Sequence, residues 1–367
     1  MKNSFGCSIT VTLFGESHGA MIGAVVDGLA PGIKIKSEYI DKKLGQRRPS
    51  GVISTSRVEP DKYEIVSGVY NGYTTGTPLT VMIPNTNTKS SDYCELAERP
   101  RPSHADYTAG VKYGGFQDPR GGGHFSGRIT AALVAVGAIL SSALFDKGIR
   151  IGTHISTLGG IVDAPFSSYG DDIDSLSEKI FPVISDDRGA AMTEVIKDAA
   201  AVGDSVGGVL ETAIIGIPAG VGEPWFDSVE SQLSHIVFSV PGIKGVEFGA
   251  GFAIANMRGS EANDPLRVVD GQIVTATNNS GGICGGITNG MPIIMRCAVK
   301  PTPSIFREQD TVDVAKMENA TVTVKGRHDP AIIHRARAVV DAVCAIAVAD
   351  MLTVRFGTDY LATGESK

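Results

Sequence analysis

Cysteine is scarce in this sequence, and its five residues are scattered and form no CxxC pair. An odd number of isolated cysteines argues against a disulfide framework and against a structural zinc site. The HExxH spacing of many zinc enzymes is also missing, so we expect no metal site. This cysteine usage is typical of a reducing compartment and predicts a cytoplasmic protein.

Long apolar runs are missing as well. Residues 1–6 contain no apolar core of a signal peptide, so none is expected. The longest apolar stretches, Ile129–Leu144 and Ala338–Leu352, are too short for a membrane span or are interrupted by charge. We therefore expect no membrane association.

Basic residues are in the minority, since 33 Lys and Arg stand against 40 Asp and Glu and give a formal net charge of −7. This acidic balance argues against a nucleic-acid partner, although it allows a local basic pocket. Glycine is abundant, at 45 of 367 residues, and clustered without a period, which excludes collagen. Such clusters indicate tight turns and backbone segments that approach a ligand closely.

The spacing of apolar residues predicts many strands and few helices. Strands are expected at Ser8–Phe14, Ile22–Asp27, Tyr63–Val69, Leu79–Pro84, Ile149–Leu158 and Ser205–Ile217. Helices are expected at Ser37–Leu44, at the apolar run Arg128–Leu144, at 226–240 and from Asp329, as N-cap, to about Val354. A polar loop is expected up to about residue 110. Without strict βαβ alternation or a dividing linker, this pattern favours one α+β domain over residues 1–367, with a buried helix Arg128–Leu144.

The segment Gly15-Glu16-Ser17-His18-Gly19 brackets three polar side chains between glycines. Histidine is the natural general acid near neutral pH, so His18 is a candidate catalytic residue. The alternative is a tight turn with a capping serine.

Two cationic blocks, at 41–57 and 99–128, stand out in an acidic chain and suggest a focused anion site. Arginine matches carboxylate and phosphate oxygens in bidentate fashion, and prolines at 100 and 102 stiffen the second block. His104 follows those arginines and could act as an acid at a bound phosphate. The alternative for the two cationic blocks is solvated surface charge, and the alternative for His104 is a structural role.

A triple glycine, 121–123, precedes the predicted apolar helix, where exposed amides would attract phosphate. The string narrowly misses the GxGxxG pattern and lacks the GK[ST] ending of a P-loop. A phosphotransferase that uses this glycine loop is one alternative, which the missing GK[ST] ending weakens, and a non-catalytic anion-binding module is another.

A series of spaced motifs, taken together and in order, resembles the signatures of the chorismate synthase family from the N-terminus to about residue 354. Several motifs in the right order are far more specific than any one alone. The motifs are Phe14-Gly15-Glu16-Ser17-His18-Gly19, Arg47-Arg48-Pro49, Arg101-Pro102-Ser103-His104-Ala105-Asp106-Tyr107-Thr108, Asp118-Pro119-Arg120-Gly121-Gly122-Gly123, Lys244-Gly245-Val246-Glu247, Gly281-Gly282-Ile283, Lys300-Pro301-Thr302-Pro303-Ser304 and Gly326-Arg327-His328-Asp329-Pro330.

The resemblance implies an activity and a fold. Family members convert 5-enolpyruvylshikimate 3-phosphate to chorismate in the shikimate pathway, by an anti-1,4-elimination that removes phosphate and a ring hydrogen. They need reduced FMN, although no net redox change occurs. The implied fold is a layered sandwich with helices packed between antiparallel β-sheets, assembled as a homotetramer. Because no added reductase region is evident, NADPH would act through a separate reductase.

The resemblance also assigns residues. The catalytic histidines correspond to His18, expected at the leaving phosphate, and His104, expected at the flavin, while Asp329 corresponds to the acid near flavin N5. Positions that contact the cofactor correspond to His124, Phe125, Ser126, Pro241, Gly242, Gly285, Lys300, Pro301, Thr302, Pro303, Ser304 and Arg327.

Arginines supply the remaining assignments. Arg47 matches a position linked to NADPH or to substrate phosphate, and Arg48, Arg101 and Arg128 are expected to bind substrate anions. The chain departs from the family after the triple glycine, where many members read Arg-Ser-Ser-Ala-Arg and this chain reads His124-Phe125-Ser126-Gly127-Arg128. Flavin contacts by the side chains of His124 and Phe125 are therefore in question, whereas backbone contacts are not.

Overall fold

The computed structural model describes residues 2–49, 53–54, 60–86, 96, 98–324 and 328–362. Its strands are β1 (Ser4–Phe5), β2 (Thr10–Gly15), β3 (Met21–Asp27), β4 (Glu64–Ser67), β5 (Val69–Tyr70), β6 (Tyr73–Thr74), β7 (Leu79–Pro84), β8 (Arg150–Leu158), β9 (Ile161–Val162), β10 (Gly208–Ile215), β11 (Ile243–Phe248), β12 (Leu266–Val269), β13 (Gln272–Thr275), β14 (Ile283–Cys284), β15 (Ile287–Thr288), β16 (Ile293–Val299), β17 (Glu308–Asp313) and β18 (Glu318–Thr323). Its α-helices are α1 (Ser37–Arg47), α2 (Asp106–Tyr113), α3 (Thr130–Asp146), α4 (Tyr169–Glu178), α5 (Asp186–Ala201), α6 (Val229–Phe238), α7 (Gly259–Ala262) and α8 (Ile333–Phe356).

Two five-stranded antiparallel sheets enclose a pair of helices. One sheet has the strand order β1-β2-β3-β7-β4 and the other the order β11-β16-β10-β8-β9. Helix α3 packs on β3 and β7 of the first sheet, α8 packs on β8 and β10 of the second, and the two helices pack on each other. The predicted α+β class, with helices between antiparallel sheets, is confirmed.

Helix α3 is buried along nearly its whole length because apolar residues surround its axis. The run Gly127–Asp146 has the length and composition to cross a membrane, and 83% of its most apolar window is buried inside the fold. It crosses α8 closely at Gly137, where a Cβ would lie only 2.4 Å from the Cβ of Ala342. The predicted burial of this helix is confirmed, and a residue without a side chain is what allows the crossing.

The start of α8 differs from the sequence prediction. Asp329 was expected to cap it, but the helix begins at Ile333, and Ile332 in the N-cap position makes no side-chain cap. The Asp329 carboxylate instead pairs with Arg335, one turn into the helix. A salt bridge between partly buried groups is thus formed in place of a cap.

Other elements also differ from the sequence prediction. Helix α2 begins at Asp106, inside the stretch predicted as a loop, and the chain enters α3 through a 3₁₀ turn at Gly127–Ile129. The Ser126 hydroxyl caps that turn by accepting from the Arg128 amide at 3.3 Å. The triple glycine is therefore separated from α3 by this turn and does not form the start of the helix.

A row of charged side chains crosses the second sheet on strands β8, β10, β16 and β11. His154 is paired in register with Glu211, Glu211 with Arg296, and Arg296 with Glu247. The His154 Nδ1 lies 2.9 Å from Asp163 Oδ2, and its Nε2 lies 3.3 Å from Glu211 Oε1. Burial opposes the charged imidazole, but these two carboxylates raise the pKa of His154.

Candidate active site

A cavity of about 780 Å³ opens beside the N-terminal ends of α3 and α8. Segments distant in sequence line it: the end of α1, the loop before α2, the stretch after the triple glycine, the end of α6 and the loop after β16. The candidate residues among its walls are Arg47, His104, His124, Phe125, Ser126, Arg128, Pro241, Gly242, Lys300, Pro301, Thr302, Pro303 and Asp329.

The other candidates, among them the buried His18, are not part of the cavity wall. Arg101 and Ser304 lie behind the wall and contact each other, with Arg101 Nη1 3.3 Å from Ser304 Oγ. Arg48 lies 4.0 Å from Asp61, which does line the cavity. Gly285 sits in the β14–β15 turn, next to the start of α6, whereas the cavity lies at the end of that helix. Arg327 lies outside the described residues.

Adjacent glycines bring the two candidate histidines together. Gly121 has φ +62°, and a Cβ built there would lie 2.2 Å from the Cε1 of His18. Gly122 has φ +83°, and its Cβ would lie 3.1 Å from the Cε1 of His104. The Ser17 amide donates to the Gly123 carbonyl at 3.1 Å, which ties the His18 loop to the same turn. Both imidazoles therefore pack against one glycine turn, which needs the left-handed backbone and lacks side chains.

His104 is held by a buried acid and an arginine. Its Nδ1 lies 2.6 Å from Asp106 Oδ1, and Arg101 donates to the same carboxylate through Nε at 2.7 Å and Nη2 at 2.8 Å. Burial alone would raise the pKa of Asp106, but the hydrogen bonds from Arg101 and His104 hold it well below its usual range. Because an ionised carboxylate only accepts, His104 Nδ1 carries a proton, and Nε2 is the atom left to exchange one.

Asp61 binds one arginine from each of the two cationic blocks. Arg47 Nη2 donates to it at 3.1 Å, and Arg128 forms a second ion pair with its other oxygen. Sequence reasoning missed Asp61, because it lies in a polar stretch without a recognised motif. The available signal was an acid shortly after the basic block 41–57.

Asn85 connects this cluster to the His18 loop and was also missed. Its Oδ1 accepts from Arg128 Nε at 3.0 Å, and its Nδ2 donates to the carbonyls of Glu16 and Gly19, each at 2.9 Å. The asparagine directly follows β7, so the sheet edge fixes its position. The orientation of the His18 loop is thereby coupled to the arginine cluster.

Arg335, another residue of the cavity wall, links Asp329 to α1. It pairs with the Asp329 carboxylate and donates from Nε to the Arg47 carbonyl at 2.8 Å. Lys300 donates from Nζ to the Ser103 carbonyl, beside His104. Burial, with the nearby positive charge of Lys244, lowers the pKa of Lys300. A lysine in this position favours an anionic partner.

The departure from the family motif has a structural explanation. His124 Nδ1 donates to the Gly15 carbonyl at 2.7 Å, so its imidazole joins the glycine turn to the end of β2. Phe125 packs edge-on against Tyr113 of α2, with ring centroids 6.0 Å apart. Both side chains line the cavity but are also occupied with the fold.

Comparisons with known proteins give a consistent family assignment. The family model described as chorismate synthase matches residues 9–353. Chorismate synthase of Pyrococcus abyssi is 44% identical over 351 residues, covering 95% of this chain and 97% of that protein. The enzyme of Pyrobaculum arsenaticum is 46% identical over 352 residues, covering 95% of each chain.

The fold gives the same result. A solved structure titled as the crystal structure of chorismate synthase aligns with a TM-score of 0.75 and 27% identity, covering 96% of this chain and 94% of that one. Sequence and fold thus agree over almost the full length. The chain belongs to the chorismate synthase family, carbon–oxygen lyases that eliminate phosphate from 5-enolpyruvylshikimate 3-phosphate to give chorismate in aromatic amino acid biosynthesis.

Proposed function

We propose that the cavity is the centre where this chain performs the elimination, and that reduced FMN binds there together with the substrate. The observation that carries the proposal is the packing of His18 and His104 against the adjacent glycines Gly121 and Gly122, with His104 in the wall of a cavity that several cationic side chains line. A reaction that moves a proton at each of two positions needs two such groups within reach of one substrate.

The substrate carries two carboxylates and a phosphate, which accounts for the arginines. Arg47 and Arg128 line the cavity, with Arg48 beside them, and guanidinium groups fixed by carboxylates form directed contacts to such oxygens. Arg101, which is buried against Asp106, acts instead by holding that carboxylate, which in turn positions His104.

The donor set also fits FMN. The isoalloxazine ring needs apolar walls, which Leu13, Leu133 and Val339 supply, and the cofactor phosphate needs cations, which Lys244 and Lys300 supply. The volume of about 780 Å³ lies within the range of small-molecule sites. When bound, reduced FMN supplies electron density as phosphate leaves and recovers it with the hydrogen.

The proposed roles of the chain's own acids are those that the family resemblance implies. His18 protonates the leaving phosphate, and His104, whose Nδ1 proton is held by Asp106, exchanges a proton at Nε2 on the flavin side. Asp329, oriented by Arg335, relays the ring proton. The backbone of 124–126, Pro241–Gly242 and the 300–303 loop bound the cofactor space.

We further propose that the chain assembles as a homotetramer in the cytoplasm and receives reducing equivalents from a separate NADPH-dependent reductase. The exposed apolar side chains of Leu266, Val268 and Ile273 on the β12–β13 hairpin, with Phe252 nearby in sequence, support association. Light scattering tests the oligomeric state, and a species of one chain would contradict the tetramer.

An anaerobic assay with dithionite-reduced FMN and 5-enolpyruvylshikimate 3-phosphate tests the function through chorismate absorbance. We expect turnover, and losses of about 10²-fold or more in His18→Ala and in His104→Ala. His235→Ala, an exposed histidine on α6, is the matched control and should retain activity. Equal activity in all variants, or turnover of ATP without flavin, would contradict the proposal.

A further inference from the structure

We propose that Asp61 is an internal counter-ion that lowers the affinity of the cavity's arginines for free phosphate and so helps determine which anions the cavity retains. The inference rests on the proposed role of Arg47 and Arg128 in binding substrate anions. It makes Asp61 a specificity-determining residue rather than a group that reacts.

The position of Asp61 supports this role. Its carboxylate is 2% exposed yet belongs to the cavity wall, and it contacts both Arg47 and Arg128, with Arg48 at 4.0 Å. Its φ of +48° lies in the left-handed region, which residues other than glycine seldom adopt. The surrounding structure therefore holds this carboxylate between the guanidinium groups despite an unfavourable backbone conformation.

The arginines do not depend on Asp61 alone for their positions. Arg128 also donates from Nε to Asn85 Oδ1 at 3.0 Å and from Nη2 to the Pro84 carbonyl at 3.2 Å. Arg47 is the last residue of α1, its backbone carbonyl accepts from Arg335 at 2.8 Å, and its side chain is only 7% exposed, so that packing limits its movement. Neutralising Asp61 should therefore leave two guanidinium groups close to their present places without their shared negative charge.

A free anion would compete with Asp61 for the same N–H donors. Phosphate is released in this reaction, and the arginines that hold the phosphate of the substrate would also hold the product. A carboxylate fixed between the two arginines offsets part of their attraction for phosphate, because the incoming anion meets guanidinium groups whose positive charge is already partly neutralised. The intact substrate has further anionic groups with which to overcome this competition.

The test measures binding of inorganic phosphate by isothermal titration calorimetry to the wild-type full-length chain and to Asp61→Asn. We expect the variant to bind phosphate at least about tenfold more tightly, because a buried negative charge next to the ligand has been removed. In the turnover assay, phosphate should become a stronger inhibitor by a similar factor. Tighter binding is a gain that a damaged fold would not produce.

Two further variants complete the design. Asp163→Asn removes a buried carboxylate that serves His154 in the other sheet, and it should leave phosphate affinity unchanged. Asp61→Glu keeps the charge and should stay within about threefold of wild type. The Asp61→Asn protein is prepared in phosphate buffer, so that phosphate supplies the negative charge that the arginines lack while the variant folds. Dialysis then removes the phosphate before the titration.

Equal or weaker phosphate binding by Asp61→Asn overturns the inference. If Asp61→Asn does not fold, a tenfold gain in the phosphate affinity of Asp61→Glu overturns the inference, since packing rather than charge would then set the affinity. Phosphate binding needs no turnover. Absence of chorismate in the anaerobic assay would therefore refute the proposed function while leaving this measurement valid.

Discussion

Replacement of Gly121 by alanine should remove activity while affecting stability only modestly. The glycine has φ +62°, and a residue with a side chain in the left-handed region costs about 1–2 kcal/mol. The added methyl group would lie 2.2 Å from the Cε1 of His18, whereas carbon atoms in contact stand roughly 3.5–4.0 Å apart. The imidazole, as a side chain, is the group that can move, and it must shift by more than about 1 Å.

A displacement of that size at a reacting group lowers the rate by about 10²-fold. Gly72→Ala is the matched control, because Gly72 has φ +81° and nothing within 4 Å of a built Cβ. Both variants should lose about 1–2 kcal/mol of unfolding free energy in urea titrations. Only Gly121→Ala should lose chorismate formation in the anaerobic assay. Equal activity in the two variants would refute the assignment of His18 to the chemistry.

Three further predictions follow from the geometry. Gly137→Ala should lower the unfolding free energy by about 1–3 kcal/mol in urea titrations, because its methyl group overlaps Ala342. His154 has a raised pKa in the folded protein, so its contribution to stability is complete below about pH 6.5 and is lost as pH rises through the raised value. Thermal melts across pH should show this loss, and His154→Phe should abolish the pH dependence. Asn85→Ala should reduce kcat about tenfold or more by releasing the His18 loop, and an unchanged kcat would contradict the coupling.

Much of the fold could be predicted because local patterns and tertiary packing agree. Leu79–Pro84 forms a strand over the predicted range, and the helix predicted at Arg128–Leu144 and observed at Thr130–Asp146 is buried because its whole circumference is apolar. The predicted start of α8 was wrong because Asp329 can serve either as a helix cap or as the ion-pair partner of Arg335. A capping role was expected from its place before proline, but Arg335 offers a charged partner, and the helix begins later.

The site was only partly predictable for a related reason. The motifs identify residues with recognisable chemistry, such as His104 and Lys300, and the cavity contains both. Asp61 and Asn85 bear no motif of their own, and their importance comes from contacts between segments far apart in sequence. Such contacts depend on the register of β7 and on the path of the chain before β4, which side-chain periodicity does not specify.

The paired acids explain how an acidic protein keeps a cationic cavity. Buried guanidinium groups need partners, and here Asp61 serves Arg47 and Arg128, while Asp106 serves Arg101. These pairs fix the direction of each arginine before ligand arrives, and they reduce the net positive charge that the cavity presents. Recognition then depends on the arrangement of donors more than on long-range attraction, so a ligand with several anionic groups at the right spacing is favoured over a single small anion.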